Sequence, residues 1–272
     1  MGAENAAGDS NTASSGAVAG PERIAAAAGR RDGLAAGPLA GLLVALAAGA
    51  VCWVLLETAF PVFTVSEDLI PGAFPSDEEM LAFEVALGEA VFRNAILFVG
   101  ILGAVVGGGL AVGEGVAQRS RRIVLKAALA GTAVAAVFGC LAALTGHVAF
   151  DYHYPIEGLS PLAKTIRTQA AMLATLGAGI GLAVGIFSGG RRIGFTCVVG
   201  GLLAGVLAGM VYPMVTAVCF PGVATELVVP YGTVDRFLWI GVMTGLAGVI
   251  IPGVGRRRPP RKDRLAAEQP PA

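Results

Sequence analysis

Charge is what this sequence has least of. Only 14% of its 272 residues are Asp, Glu, Lys or Arg, against about a quarter in soluble domains. That is too little polar surface to cover a water-soluble core of this size. Histidine occurs twice. The four cysteines, Cys52, Cys140, Cys197 and Cys219, stand far apart, inside or at the end of apolar runs, with no Cys-x-x-Cys pair. This spacing argues against a disulfide framework or a cysteine zinc site and fits buried thiols that act as small apolar groups. There is no His-Glu-x-x-His, no Gly-x-Ser-Gly nucleophile, no twin Asn-Pro-Ala loop, no P-loop and no glycine-rich nucleotide motif. The familiar signatures of membrane proteases, water channels and nucleotide enzymes are therefore missing, and no cofactor is implied. The formal net charge is zero and the basic residues flank apolar runs, so nucleic acid is not expected as a partner.

Hydrophobic residues make up 55% of the chain and the mean hydropathy is +0.74. Crossing about 30 Å of hydrocarbon takes about 20 residues of helix. Six runs meet that length, at about 38–60, 93–113, 125–150, 167–187, 194–220 and 236–254. The expected fold is all-α: a polytopic membrane protein with six transmembrane helices. Residues 1–37, rich in Ala, Gly and Ser, read as a disordered cytoplasmic tail, and 255–272 as a basic cytoplasmic tail.

Glycine is abundant, and its spacing organises the runs. Counting back from Phe60, Phe150 and Phe220, small residues recur every fourth position in one register: Gly49, Ala45 and Gly41; Gly139, Ala135 and Gly131; Gly209, Gly205 and Gly201. Four residues of α-helix turn through roughly 400°, so each triplet forms a slowly drifting stripe on one face. The second helices of each pair repeat as well. Arg93 is followed ten and fourteen residues on by Gly103 and Gly107, and Arg167 by Gly177 and Gly181, while Arg236 is followed only loosely by Gly241, Gly245 and Gly248. This pattern reads as three tandem helical hairpins. The carriers of mitochondria share a three-hairpin plan, but their Pro-x-acid-x-x-base motif is absent here. The stripes are expected to serve helix packing, because small residues let backbones approach in lipid.

The basic residues set an orientation. With the N-terminus in the cytoplasm, fifteen of the nineteen fall in the inner segments; only Arg93, Lys164, Arg167 and Arg236 lie on the other side. This positive-inside bias places both termini in the cytoplasm, in a bacterial-type inner (plasma) membrane.

Three groups of residues invite chemistry. Arg93, Arg167 and Arg236 hold related places at the outer ends of the even helices, where a ring of them would attract anions; the plainer expectation is interfacial anchoring or pairing with Glu89 or Asp235. His147, Asp151 and His153, with Glu57 as the register-mate of His147, form a candidate metal site. Start signals mark the even helices: a capping box at Ser76 and Glu79, Ser160 before Pro161, and Thr233. Pro213, four residues after Gly209, should kink the fifth helix. The leading expectation is a small solute or anion transporter or channel component. An accessory or assembly subunit comes next, and a metal-dependent membrane enzyme third. The lipid bilayer is the expected partner, with other membrane subunits or self-association as further ones.

Overall fold

A computed structural model of the chain describes residues 38–72, 75–117, 121–188, 190–220 and 228–254. The two tails read from sequence lie outside the described residues. Six helices carry the fold: α1 (Pro38–Ala59), α2 (Asp77–Ala117), α3 (Arg121–His153), α4 (Pro161–Gly185), α5 (Arg191–Cys219) and α6 (Thr233–Val254). All six are long and apolar enough to cross a membrane, and there is no strand among the described residues. The chain is a helical, multi-pass membrane protein.

Local chemistry sets the helix starts. Ser76 and Glu79 form the reciprocal capping box: Glu79 N donates to Ser76 Oγ at 3.3 Å, and Ser76 N to Glu79 Oε2 at 2.8 Å. From there α2 runs unbroken for 41 residues, about 60 Å at the usual rise. That is twice the hydrocarbon thickness, so the segment 77–92 continues straight into the span rather than lying on the surface. Ser160 Oγ accepts from Ala163 N at 3.3 Å with Pro161 behind it, which starts α4. At α6 the expected cap fails. Thr233 is the first helical residue, and its hydroxyl donates to Glu57 of α1 instead of capping its own helix. Near its basic end α3 contains a π-helical turn at Ala127–Gly131.

Consecutive helices pack side by side, and α1 packs against α6, which closes a ring; α2 also meets α4 across the interior. The small-residue stripes sit at the seams that join one pair to the next. On α3, Ala135 and Gly139 lie against α2, where a Cβ on Gly103 would stand 2.3 Å from the Ala135 carbonyl oxygen, and one on Gly139 2.3 Å from that of Val99. A Cβ on Gly107 would meet the Ala135 Cβ, and one on Gly131 the Ala111 Cβ at 2.8 Å. The α4–α5 seam is the closest, with Gly177 on Gly201, Gly181 on Cys197, Gly205 on Leu173 and Gly209 on Ala170. On α1, Gly41 faces Gly248 and Pro252, and Gly49 faces Thr244 of α6. Within lipid, burying apolar surface gives no drive for association, so the attraction at these seams comes from dispersion between closely approaching backbones.

The enclosed helices are α2 and α4, with 61 and 67% of their most apolar windows buried; the other four have 28–39%. The first and third even helices therefore differ. Three equivalent hairpins would make α6 as enclosed as α2 and α4, but its outer face, with Phe237 and Val249, is exposed. The core between the helices is filled by large side chains, including Phe98, Leu102, Leu176, Ile180, Tyr212, Trp239 and Met243.

Candidate functional site

Polar groups are costly inside a bilayer, so the positions where the bundle buries them mark a candidate site. Among the described residues five of the six buried polar side chains gather at one end, where α1 and α5 finish and α4 and α6 begin; the sixth, Thr244, lies midway along α6 and returns its hydroxyl to the Ile240 carbonyl at 2.8 Å. Thr165, Thr168 and Gln169 of α4, Thr216 of α5 and Asp235 of α6 are all buried there. Gln169 occupies the third turn of α4, which turns its amide inward. Its Oε1 accepts from Trp239 Nε1 at 2.8 Å, and its Nε2 donates to the Val228 carbonyl at 3.1 Å. This node ties α4, α6 and the segment that leads into α6. Thr216 returns its hydroxyl to the Tyr212 carbonyl at 2.9 Å.

Two groups close to this node are left over. Tyr212 is 1% exposed and Asp235 7%, yet Asp235 Oδ1 has no hydrogen-bond partner among the described residues, and the Tyr212 hydroxyl has only the Thr216 side chain, one turn on, beside it without a well-formed bond. Asp235 stands in the first turn of α6, and α6 packs against α5, the helix that carries Tyr212. Gly232 makes room for the carboxylate, since a Cβ there would stand 2.5 Å from Asp235 Oδ2. Leaving a buried polar atom unpaired costs about 1–3 kcal/mol, so a polar partner at these atoms would be stabilising. A cleft of about 310 Å³ opens at the same end, between Phe150 and Tyr154 of the α3 terminus and Pro161, Lys164, Thr165 and Thr168 of α4. Lys164 Nζ donates to the Tyr154 carbonyl at 2.6 Å and lies 5.6 Å from that ring, which fastens the α3–α4 turn.

The three arginines have separate surroundings. Arg236 is largely enclosed and reaches Glu57 of α1, with Nε 2.8 Å from Oε1 and Nη2 donating to Oε2 at 3.1 Å; Thr233 adds a bond to the same oxygen. Its partner is Glu57, not the adjacent Asp235. Arg93 pairs with Glu89 one turn earlier and lies over the Phe63 ring at 6.0 Å. Arg167 is exposed. No contact among the described residues joins the three.

The metal candidate is not assembled. His147 is 3.5 Å from Asp151 on the same helix face and packs on Phe92. His153 lies two residues further on, about 200° around a continuous helix, with its ring against Tyr152. Glu57 is engaged by Arg236. Among the described residues no three His, Cys, Asp or Glu side chains are placed to hold a metal ion.

Sequence reasoning passed over Gln169, Tyr212 and Trp239. The available signal was a strongly polar amide and a phenol inside runs otherwise apolar enough to span. It also missed Asn94, whose Oδ1 accepts from the backbone N–H of Val62 and Phe63 and whose Nδ2 donates to the Phe63 carbonyl, a three-bond clamp on the first loop. Compared with known proteins, the chain matches no family model, no curated protein and no solved structure.

Proposed function

We propose that this protein is a small-solute transporter or channel component whose binding site is the Tyr212–Asp235 node at the outer end of α4, α5 and α6. The observation that carries this reading is the buried Asp235 Oδ1, which has no hydrogen-bond partner among the described residues, at the end of the bundle that also buries the Tyr212 phenol. A carboxylate and a phenol suit a solute that is cationic or donates hydrogen bonds, such as a small amine or polyol. They suit an inorganic anion poorly, and the arginines expected to draw in anions are held by Glu57 and Glu89 or stand apart. The reading includes three tandem hairpins in a bacterial-type inner membrane with both termini cytoplasmic. The basic skew of the sequence supports that orientation, and the seating of each odd-helix stripe on an even helix supports the repeat.

A second reading, an accessory or assembly subunit of a larger membrane complex, is favoured by one observation. The helices touch backbone to backbone at Gly103 and Gly205, which leaves no open path between them there. Transport therefore requires these seams to part during a cycle, whereas a subunit would keep them closed.

Uptake into proteoliposomes across a panel of small amines, polyols and inorganic anions separates the two. The transport reading expects uptake of an amine or polyol, with half-saturation raised roughly tenfold by Asp235→Asn, the loss of one charged hydrogen bond. Folded protein that moves no member of the panel would favour the subunit.

A further inference from the structure

The bilayer-facing side of α2 carries an ordered series of chemistries. Glu89, Arg93, Leu97, Gly100 and Ala104 follow one another at three- and four-residue intervals, so they share one helix face. From the water side inward, that face offers a carboxylate, then a guanidinium, then apolar surface. Below Arg93 the surface is hollow. Gly100 and Ala104 of α2, with Ala136 and Cys140 of α3, leave a groove of about 440 Å³ walled by Leu97. Its lining is apolar except for Arg93 at the mouth. The glycine is part of why the groove exists, since a Cβ at Gly100 would already touch the Cys140 sulfur at 3.0 Å.

The mouth is built rather than accidental. Phe63 forms its upper wall, and the Asn94 clamp fixes the backbone of Phe63 from one residue beyond Arg93. Arg93 lies over the Phe63 ring and against Glu89 while its side chain stays 56% exposed. A guanidinium in this state keeps N–H donors for an oxyanion, and phosphate matches its planar fork. Arg93 also stands at the start of the expected hydrocarbon span, the depth of lipid phosphates.

We infer that this groove binds one phospholipid with an aminoethyl phosphodiester head: the acyl chain in the trough, the phosphate on Arg93 and the ammonium on Glu89. The order of charges along the face selects this head. A phosphatidylglycerol head carries the same phosphate but ends in a neutral glycerol, so it offers Glu89 no cation. A choline head has no N–H to donate to the carboxylate.

The test uses the full chain in nanodiscs containing equal parts of phosphatidylethanolamine, phosphatidylglycerol and phosphatidylcholine, followed by mild detergent and native mass spectrometry. The expected result is one retained phosphatidylethanolamine, enriched about fivefold over the other two, as for a partly exposed ion pair. That enrichment should fall to none in Glu89→Gln, whereas Arg93→Gln, which loses the phosphate contact common to all three heads, should lower retention of every lipid about fivefold; both side chains are more than half exposed. Ala104→Leu, with melting temperature checked, should fill the trough and remove the lipid altogether. Equal retention of the three lipids, preference for phosphatidylglycerol or phosphatidylcholine, a second copy of the chain in place of lipid, enrichment unchanged by Glu89→Gln, or retention unchanged by Arg93→Gln would each overturn the assignment.

Discussion

Gly205→Leu should abolish the folded bundle. At this position a Cβ would stand 1.9 Å from the Leu173 carbonyl oxygen, 2.4 Å from its carbon and 2.8 Å from the Ala174 Cα. All three obstacles are backbone, so no side chain can swing aside, and α4 and α5 must separate along their length. Separation undoes the neighbouring contacts as well, where Gly177 and Gly201 meet each other's carbonyls at 2.1 and 2.0 Å from the added Cβ positions. Ordinary overpacking costs about 1–3 kcal/mol. Here the loss exceeds that, because close backbone approach supplies most of the attraction between helices in lipid. The expected outcome is aggregation on size-exclusion chromatography in mild detergent. Gly241→Leu is the control: nothing lies within 4 Å of a Cβ at Gly241, so this variant should elute and melt like the wild type. A Gly205→Leu protein with wild-type melting would remove the α4–α5 seam from the account.

Arg236→Leu should loosen the first helix from the last. The Glu57 carboxylate, 21% exposed, would keep only the Thr233 hydroxyl. Breaking one side of a fully buried pair costs about 3–5 kcal/mol; partial exposure brings the expected loss to about 2 kcal/mol. The double variant Glu57→Met with Arg236→Leu removes the stranded charge and should recover most of that loss, since the two sites act as one unit. Thermal melting of the three proteins measures this coupling. Additive losses, or an Arg236→Leu protein as stable as the wild type, would mean that the pair does not hold α1 to α6.

These two cases mark what the sequence could and could not disclose. Helices α1, α3, α5 and α6 begin and end within a few residues of their apolar runs, because hydrocarbon thickness fixes the length of an apolar crossing. The start of α2, sixteen residues before its run, was legible only through Ser76 and Glu79, since outside the membrane capping decides. The glycine registers disclosed faces but not neighbours: spacing tells which side of α1 is narrow, not that α6 will lie there. Glu57 and Arg236 are 179 positions apart, beyond any local pattern. Asp235 looked like the natural partner because it is adjacent, yet consecutive helical side chains diverge by about 100°. The same divergence separates His153 from His147 and Asp151. The Tyr212–Asp235 node was hidden because each residue alone resembles an interfacial group; only the packing of α5 against α6 buries both at one end of the bundle.

The central claim is a chain that crosses the bilayer six times with its loops on alternating sides, and single-cysteine labelling tests it most directly. With Cys52, Cys140, Cys197 and Cys219 replaced by Ala, cysteines are placed one at a time at Ser66, Ser160 and Tyr231, and at Arg121 and Ser188. A membrane-impermeant maleimide applied to intact cells should label the first three positions and neither of the last two, and inverted vesicles should reverse the pattern. Labelling of Arg121→Cys or Ser188→Cys together with Ser160→Cys from one side would contradict the six crossings.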